Sequence, residues 1–283
     1  MGAADVIPGV SGGTIAFLTG IYGELVDSIK SIDFSALKLL LSGKIKQFWK
    51  HINANFLISV LLGILISVFS LARLMKYLLE YHPIPLWSFF FGLIFVSAIY
   101  IFKQTAGFKV SHIVPALLGA AVGVFICLVS PAETPDALWF IFVCGAIGIC
   151  AMILPGISGS FILLLLGKYE YIVAEAVSSF NIPVLAVFAC GALVGIISFS
   201  HFLSWMLKKH YDATILFLAG LMIGSLLKVW PWRTSSAQGM DYPVLPADYA
   251  GDAQIMQAII FFLSGVALFL SIEITAKRLK KKE

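Results

Sequence analysis

Apolar residues run almost unbroken over 55–79, 86–102, 111–130, 137–154, 183–207, 213–230 and 255–276. Shorter apolar segments cover 14–29 and 161–177. Each long run predicts an α-helix, because a backbone in hydrocarbon must satisfy its own hydrogen bonds. Between 30 and 53 the pattern changes. Lys30, Lys38, Lys44, Lys46 and Lys50 alternate with apolar residues. That stretch predicts an amphipathic segment lying on the inner membrane surface. The polar stretch from Pro231 to Gln254, with Asp241, Asp248 and Asp252, reads as a link.

Charge orients the runs. Loops 30–53, 103–110, 208–212 and 277–283 are basic, which places them on the cytoplasmic side with the C-terminus. Lys277, Arg278, Lys280, Lys281 and Lys282 act there as a topology anchor, with an anionic lipid headgroup as the minority reading. Loops 131–136 and 231–254 are acidic and fall outside. Residues 137–178 then start and finish on one side. They either cross twice or dip in and return.

Pro8-Gly9-Val10-Ser11-Gly12-Gly13 recurs as Pro155-Gly156-Ile157-Ser158-Gly159-Ser160, an offset of 147 (155 minus 8). Ile15, Leu18, Gly20 and Tyr22 match Ile162, Leu165, Gly167 and Tyr169 at that offset. Further on the offset is 128: Gly63 with Gly191, His82 with His210, Gly92 with Gly220, Ser97 with Ser225. The amphipathic stretch accounts for the difference. Two such motifs with matching surroundings indicate duplication. His82 falls on an outer link and His210 on an inner one, so the two repeats are expected to be inverted, as in secondary transporters. The expected organisation is one membrane domain over 1–283, with repeat one about 1–136 and repeat two about 137–283. Repeat one lacks a counterpart for the helix at 138–151, so further apolar residues are expected before Met1.

Composition agrees. The chain has 283 residues, 60% apolar and 12% charged, with mean hydropathy +0.99. Soluble domains are nearer 45–50% apolar and about 25% charged. A soluble enzyme, a disordered tail and a nucleic-acid binder are excluded. The apolar share would supply about eight ordinary spans. The net charge of +4 sits in short loops and at the C-terminus. The four cysteines lie in apolar segments without a CxxC pair and read as packing residues.

The repeated motif carries the candidate chemistry. Proline interrupts a helix and glycine permits close backbone approach. Ser11, Ser158, Ser160 and Thr14 add hydroxyls. Two breaks at membrane depth, formed by Pro8, Gly9, Ser11, Gly12, Gly13 and Thr14 and by Pro155, Gly156, Ser158, Gly159 and Ser160, could converge on one phosphate through backbone N–H groups. A pair of packed helix kinks is the competing reading. Arg73 and His201, related at offset 128, are headgroup cations or interfacial side chains. Lys168 adds charge or marks a helix end. Asp5 and Glu24 are candidates for H⁺ or Na⁺ coupling or ordinary interfacial acids. No cofactor is expected, and the oligomeric state is left open.

Ala4-Asp5-Val6-Ile7-Pro8-Gly9-Val10-Ser11-Gly12-Gly13-Thr14, with Gly20-Ile21-Tyr22 and the second motif Leu154 to Ser160, resembles the signature of the PopT family of polyprenyl-phosphate (undecaprenyl phosphate) translocases. The resemblance covers essentially the whole chain. It implies a multi-pass bacterial inner-membrane protein that returns a C55 lipid carrier to the inner leaflet for cell-wall and surface-glycan synthesis. The expected fold is an all-α polytopic membrane protein with two inverted repeats and broken or re-entrant helices. Two alternatives are an ion-coupled transporter of a small anion and an intramembrane lipid phosphatase. Undecaprenyl pyrophosphate phosphatases use a similar PGxSRS loop, but Gly12 and Gly159 stand where that pattern has Arg. Without that cation and the acidic motif of those enzymes, hydrolysis is disfavoured.

Overall fold

A computed structural model of the chain describes residues 1–2, 11–105, 110–129, 134–177, 179–235 and 241–280. Asp5, Pro8, Gly9, Lys281 and Lys282 lie outside the described residues. Helices dominate: α1 Gly12–Leu18, α2 Tyr22–Lys30, α3 Phe34–Leu41, α4 Ile45–His51, α5 Ala54–Tyr81, α6 Pro83–Gln104 and α7 Val110–Leu128. After these come α8 Leu138–Ile153, α9 Gly159–Leu165, a π-helical turn Glu170–Ala176, α10 Ile182–Lys209, α11 Tyr211–Val229 and α12 Ile255–Lys280.

Five helices among the described residues are long and apolar enough to cross a bilayer: those containing Ala54–Leu71, Pro83–Lys103, Ile182–Lys209, Tyr211–Val229 and Ile255–Thr275. His112–Leu128 and Leu138–Ile153 are apolar but shorter. The count falls below the eight ordinary spans that composition alone would supply, because part of the apolar sequence lies in short pieces. With seven residues each, α1 and α9 fall far short of the roughly 20 a crossing needs. Large apolar side chains such as Ile66, Phe69, Leu117, Phe125 and Trp139 are exposed. Such a surface suits lipid and would drive association in water.

The chain packs as two compact units. The first comprises residues 1–69 and 131–214, the second 70–130 and 215–283. Each unit therefore draws a segment from the first half of the sequence and one from the second. In the first unit α8 packs against α10, which also packs on α2, and α9 folds back on α8. A core of Ile141, Cys144, Leu163, Ile172, Ala176 and Val184 seals these helices.

In the second unit α12 packs along α6, and α7 along α11. The two pairs share a contact pattern. A Cβ at Gly92 would lie 2.3 Å from the Phe262 carbonyl oxygen, and one at Gly220 2.0 Å from that of Ala116. Likewise Gly265 abuts the Phe89 carbonyl and Gly119 that of Phe217. The first members are 128 apart (220 minus 92, 217 minus 89), the second 146 apart (262 minus 116, 265 minus 119). The same residue-to-residue approach thus occurs twice, each time joining a helix of the first half of the sequence to one of the second.

Within the stretch 231–254, expected as a mere link, the described residues include a folded piece. Strands β1 Arg233–Ser235 and β2 Asp241–Pro243 pair antiparallel, with Thr234 opposite Tyr242. Trp230 donates its indole N–H to the Val244 carbonyl at 2.8 Å, and Trp232 to that of Ala253 at 2.8 Å. Trp232 packs on Ile84 and Ala258. This hairpin is the departure from an all-α chain among the described residues. The anchoring tryptophans supply apolar burial that a polar link lacks.

Candidate functional site

The two motif segments meet inside the first unit. Ser11 is the N-cap of α1, with extended backbone, and its Oγ accepts the Gly13 N–H at 3.0 Å. Ser158 caps α9 in the same way, its Oγ accepting the Phe161 N–H at 3.2 Å. Both helices close identically. Gly20 N–H bonds the Phe17 carbonyl and Ile21 N–H that of Ala16. Gly167 N–H bonds the Leu164 carbonyl and Lys168 N–H that of Leu163. This six-to-one closure needs a left-handed residue after the cap, which Gly20 (φ 75°) and Gly167 (φ 63°) supply.

The contacts between the segments are hydrogen bonds between a side chain of one and the backbone of the other. Helix α8 stops at Ile153, so its last carbonyls lack helical partners. Ser11 Oγ donates to one of them, the Met152 carbonyl, at 3.0 Å. The chain then turns through buried Pro155 and through Gly156 at φ 91°, a conformation that L side chains rarely adopt. The Gly156 N–H donates to Thr14 Oγ1 at 2.8 Å. Ser11 and Thr14 are almost fully buried, at 1% and 0% exposure. Gly13 lets the backbones close up, since a Cβ there would sit 2.4 Å from the Ile153 carbonyl oxygen.

The hydroxyls of Ser158 and Ser160 lie 3.2 Å apart; Ser158 is buried and Ser160 exposed. Gly159 and Ser160 begin α9, where a helix offers its first N–H groups no carbonyl of its own. Gly12 and Gly159 are buried. The hydroxyls expected to line one cradle are thus divided. Ser11 and Thr14 are engaged in holding the second break, Ser158 caps α9 from a buried position, and Ser160 is exposed.

Lys168 is 4% exposed and fully engaged with its neighbours. Its ammonium bonds Asp136 Oδ1 at 2.5 Å and the Thr134 carbonyl at 2.7 Å. Thr134 in turn donates its hydroxyl to the Leu166 carbonyl at 2.6 Å. Glu24 is exposed and accepts a bond from Asn53 Nδ2 at 2.9 Å. His201 is exposed, with Nδ1 2.8 Å from the Ile197 carbonyl oxygen. Arg73, in the second unit, is exposed on α5.

Sequence reasoning passed over a second polar cluster in the first unit. Buried Ser204 donates to Asp27 Oδ1 at 2.6 Å and accepts from Lys30 Nζ at 3.3 Å. Lys208 pairs with the same carboxylate at 3.0 Å. The available signal was Ser204 near the end of an apolar run, one turn before Lys208. Arg233, also passed over, stacks on Trp87 with its guanidinium 4.2 Å from the ring centroid.

Residues 1–242 match the family described as VCA0040-like, undecaprenyl phosphate translocase-like. A Vibrio cholerae protein named polyprenyl-phosphate transporter is 43% identical over 98% of this chain and 94% of its own length. A Staphylococcus aureus protein of the same name is 34% identical over 82% of this chain and 83% of its own. No solved structure matches the chain.

Proposed function

Because the chain belongs to the undecaprenyl phosphate translocase-like family, we propose that it moves polyprenyl phosphate between the leaflets of a bacterial cytoplasmic membrane. It is a multi-pass membrane transporter rather than an enzyme, and it serves the recycling of the lipid carrier in cell-envelope synthesis. Its two repeats are inverted, the C-terminus is cytoplasmic, and the PGxSG segments are re-entrant breaks in one membrane domain.

The observation that carries the site assignment is the bond from Gly156 N–H to Thr14 Oγ1, which ties the two breaks together at 2.8 Å. Orphan backbone groups at a helix break are costly to bury, and here the first motif satisfies them. Ser11, Gly12, Gly13 and Thr14 therefore shape the second break. Ser158, Gly159 and Ser160, after Pro155 and Gly156, offer the phosphate its hydroxyl and N–H donors. Such charge-assisted bonds need no dedicated arginine when several donors converge. Pro8 and Gly9 precede these residues in the first motif and are proposed to act with them. Arg73, His201 and Lys168 supply positive potential along the headgroup's path, with Lys168 acting from its pair with Asp136. Asp5 and Glu24 carry the coupling proton or sodium ion.

The test is reconstitution in liposomes with a labelled polyprenyl phosphate placed in one leaflet. The wild type equilibrates the label. Replacing Ser158 and Ser160 together by valine removes two donors to a charged group, each worth about 1.5–3 kcal/mol, and should slow movement at least tenfold while stability falls by no more than the about 0.5–2 kcal/mol of a lost helix cap. Unchanged movement in the double variant overturns the cradle. Release of inorganic phosphate by the wild type would overturn the transporter reading.

A further inference from the structure

The repeated helix contact in the second unit places two apolar cavities at equivalent positions, and they differ in what fills them. One, of about 170 Å³, is bounded by Ser88, Phe91, Trp230, Ala258, Ile259 and Phe262. The other, of about 330 Å³, is bounded by Phe102, His112, Ile113, Ala116, Leu216 and Gly220, with Ala120 and Thr105. Ser88 corresponds to Leu216 and Phe102 to Trp230 at offset 128; His112, Ile113 and Ala116 correspond to Ala258, Ile259 and Phe262 at offset 146. In the smaller cavity the tryptophan hairpin supplies Trp230 and Trp232, and α12 supplies the Phe262 ring, which lies 6.1 Å from that of Phe91. In the larger cavity alanine replaces that phenylalanine and phenylalanine replaces Trp230. One copy of the slot is narrowed to about 170 Å³ by the protein's own aromatic rings; the other keeps about 330 Å³.

We propose that the larger slot between α7, α11 and the end of α6 binds a segment of the isoprenoid tail of the transported lipid phosphate, an inference that rests on the transport reading above. Three features select that ligand. The walls are apolar and floored by small residues, Ala116, Ala120 and Gly220, so an unbranched or methyl-branched chain can lie flat against the helices. The cavity is within the roughly 300–1,000 Å³ of ligand pockets. The polar edge is formed by His112 and Thr105, and exposed Lys103 lies two residues before Thr105 in sequence. An amphiphile with an anionic head and an apolar tail matches that combination. By the charge distribution this edge faces the cytoplasm, where the lipid arrives.

The test uses the full chain in vesicles containing a polyprenyl phosphate with a photoactivatable diazirine within the tail, and transport is measured in the same vesicles. The expected result is labelling of peptides from α7 and α11. Ala116→Phe installs the ring that Phe262 already places in the equivalent slot, so the helix pair is built to accommodate it; that variant should lose the label and slow long-chain transport about tenfold. Labelling elsewhere in a wild type that transports overturns the tail site and leaves the transport reading standing. Equal labelling of the slot by a diazirine phosphatidylglycerol also overturns it, because the slot then holds any acyl chain. A wild type that moves no polyprenyl phosphate overturns the transport reading and this inference with it.

Discussion

Thr14 accepts the Gly156 N–H at 2.8 Å across 142 residues of sequence, and both residues are buried. The bond holds the second break in shape from the first. Thr14→Val keeps the side-chain volume and removes the acceptor, leaving a buried N–H unpaired. The expected loss is about 1–3 kcal/mol of stability. Thr14→Ser should retain most of it. Thermal unfolding of the three proteins in one detergent checks the order, and transport should fall with Thr14→Val and not with Thr14→Ser.

Two glycines make that approach possible, for different reasons. Gly156 holds a φ of 91°, so Gly156→Ala should cost about 1–3 kcal/mol as backbone strain. Gly13→Ala puts a Cβ 2.4 Å from the Ile153 carbonyl oxygen and must push α1 from α8. Gly23 in α2 has nothing within 4 Å of its Cβ position, so Gly23→Ala should be neutral or stabilise by about 0.5–1 kcal/mol. If unfolding measurements show Gly23→Ala as harmful as the other two, the close packing of the breaks is not what the glycines serve.

How far the sequence reveals this arrangement depends on the range of each interaction. The bounds of α1 and α9 recur at 147 because capping is local chemistry: a serine before each helix and a glycine after it fix both ends within ten residues. Helices α5 and α10 recur at 128 because length and apolarity define them. Nothing local announces that the Met152 carbonyl finds Ser11, or that Lys168 finds Asp136; those pairings are set by packing. The hairpin at 233–243 was hidden by its polar composition, its tryptophans standing at one end.

Lys168 and Asp136 are unequal partners, with side-chain exposures of 5% and 70%. Removing the carboxylate leaves a buried ammonium with the Thr134 carbonyl and, 5.9 Å away, the Tyr171 ring. Asp136→Asn should therefore destabilise more than Lys168→Met, which deletes the charge that needs a partner. The difference should be about 1–3 kcal/mol, below the cost of breaking a fully buried pair because Asp136 faces solvent. Unfolding of the two variants and of the double variant gives the coupling directly. A coupling near zero would mean that the pair contributes little.

Acid should release the surface helices α3 and α4 before the rest of the chain. Asp33 caps α3 by accepting the Ala36 N–H at 2.8 Å, and its carboxylate lies 3.2 Å from His51 Nε2 on α4. The Ala36 N–H is the largest influence on its ionisation; slight burial opposes it, and the remaining contacts, His51 among them, add to it. The net effect holds this carboxyl below the ordinary carboxylate range. A depressed folded value means that the cap contributes fully above the ordinary value of about 3.9 and is lost as pH falls through the lower folded value. Trp49 reports on α4, since its indole donates to Asn55 Oδ1 at 2.9 Å. Fluorine NMR of fluorotryptophan-labelled protein, with Trp49 assigned through Trp49→Phe, should show its signal shifting at acid pH in the wild type. In Asp33→Asn the amide oxygen still caps but no longer titrates, so that acid transition should disappear. A transition at the same pH in the variant would assign the acid sensitivity to another group.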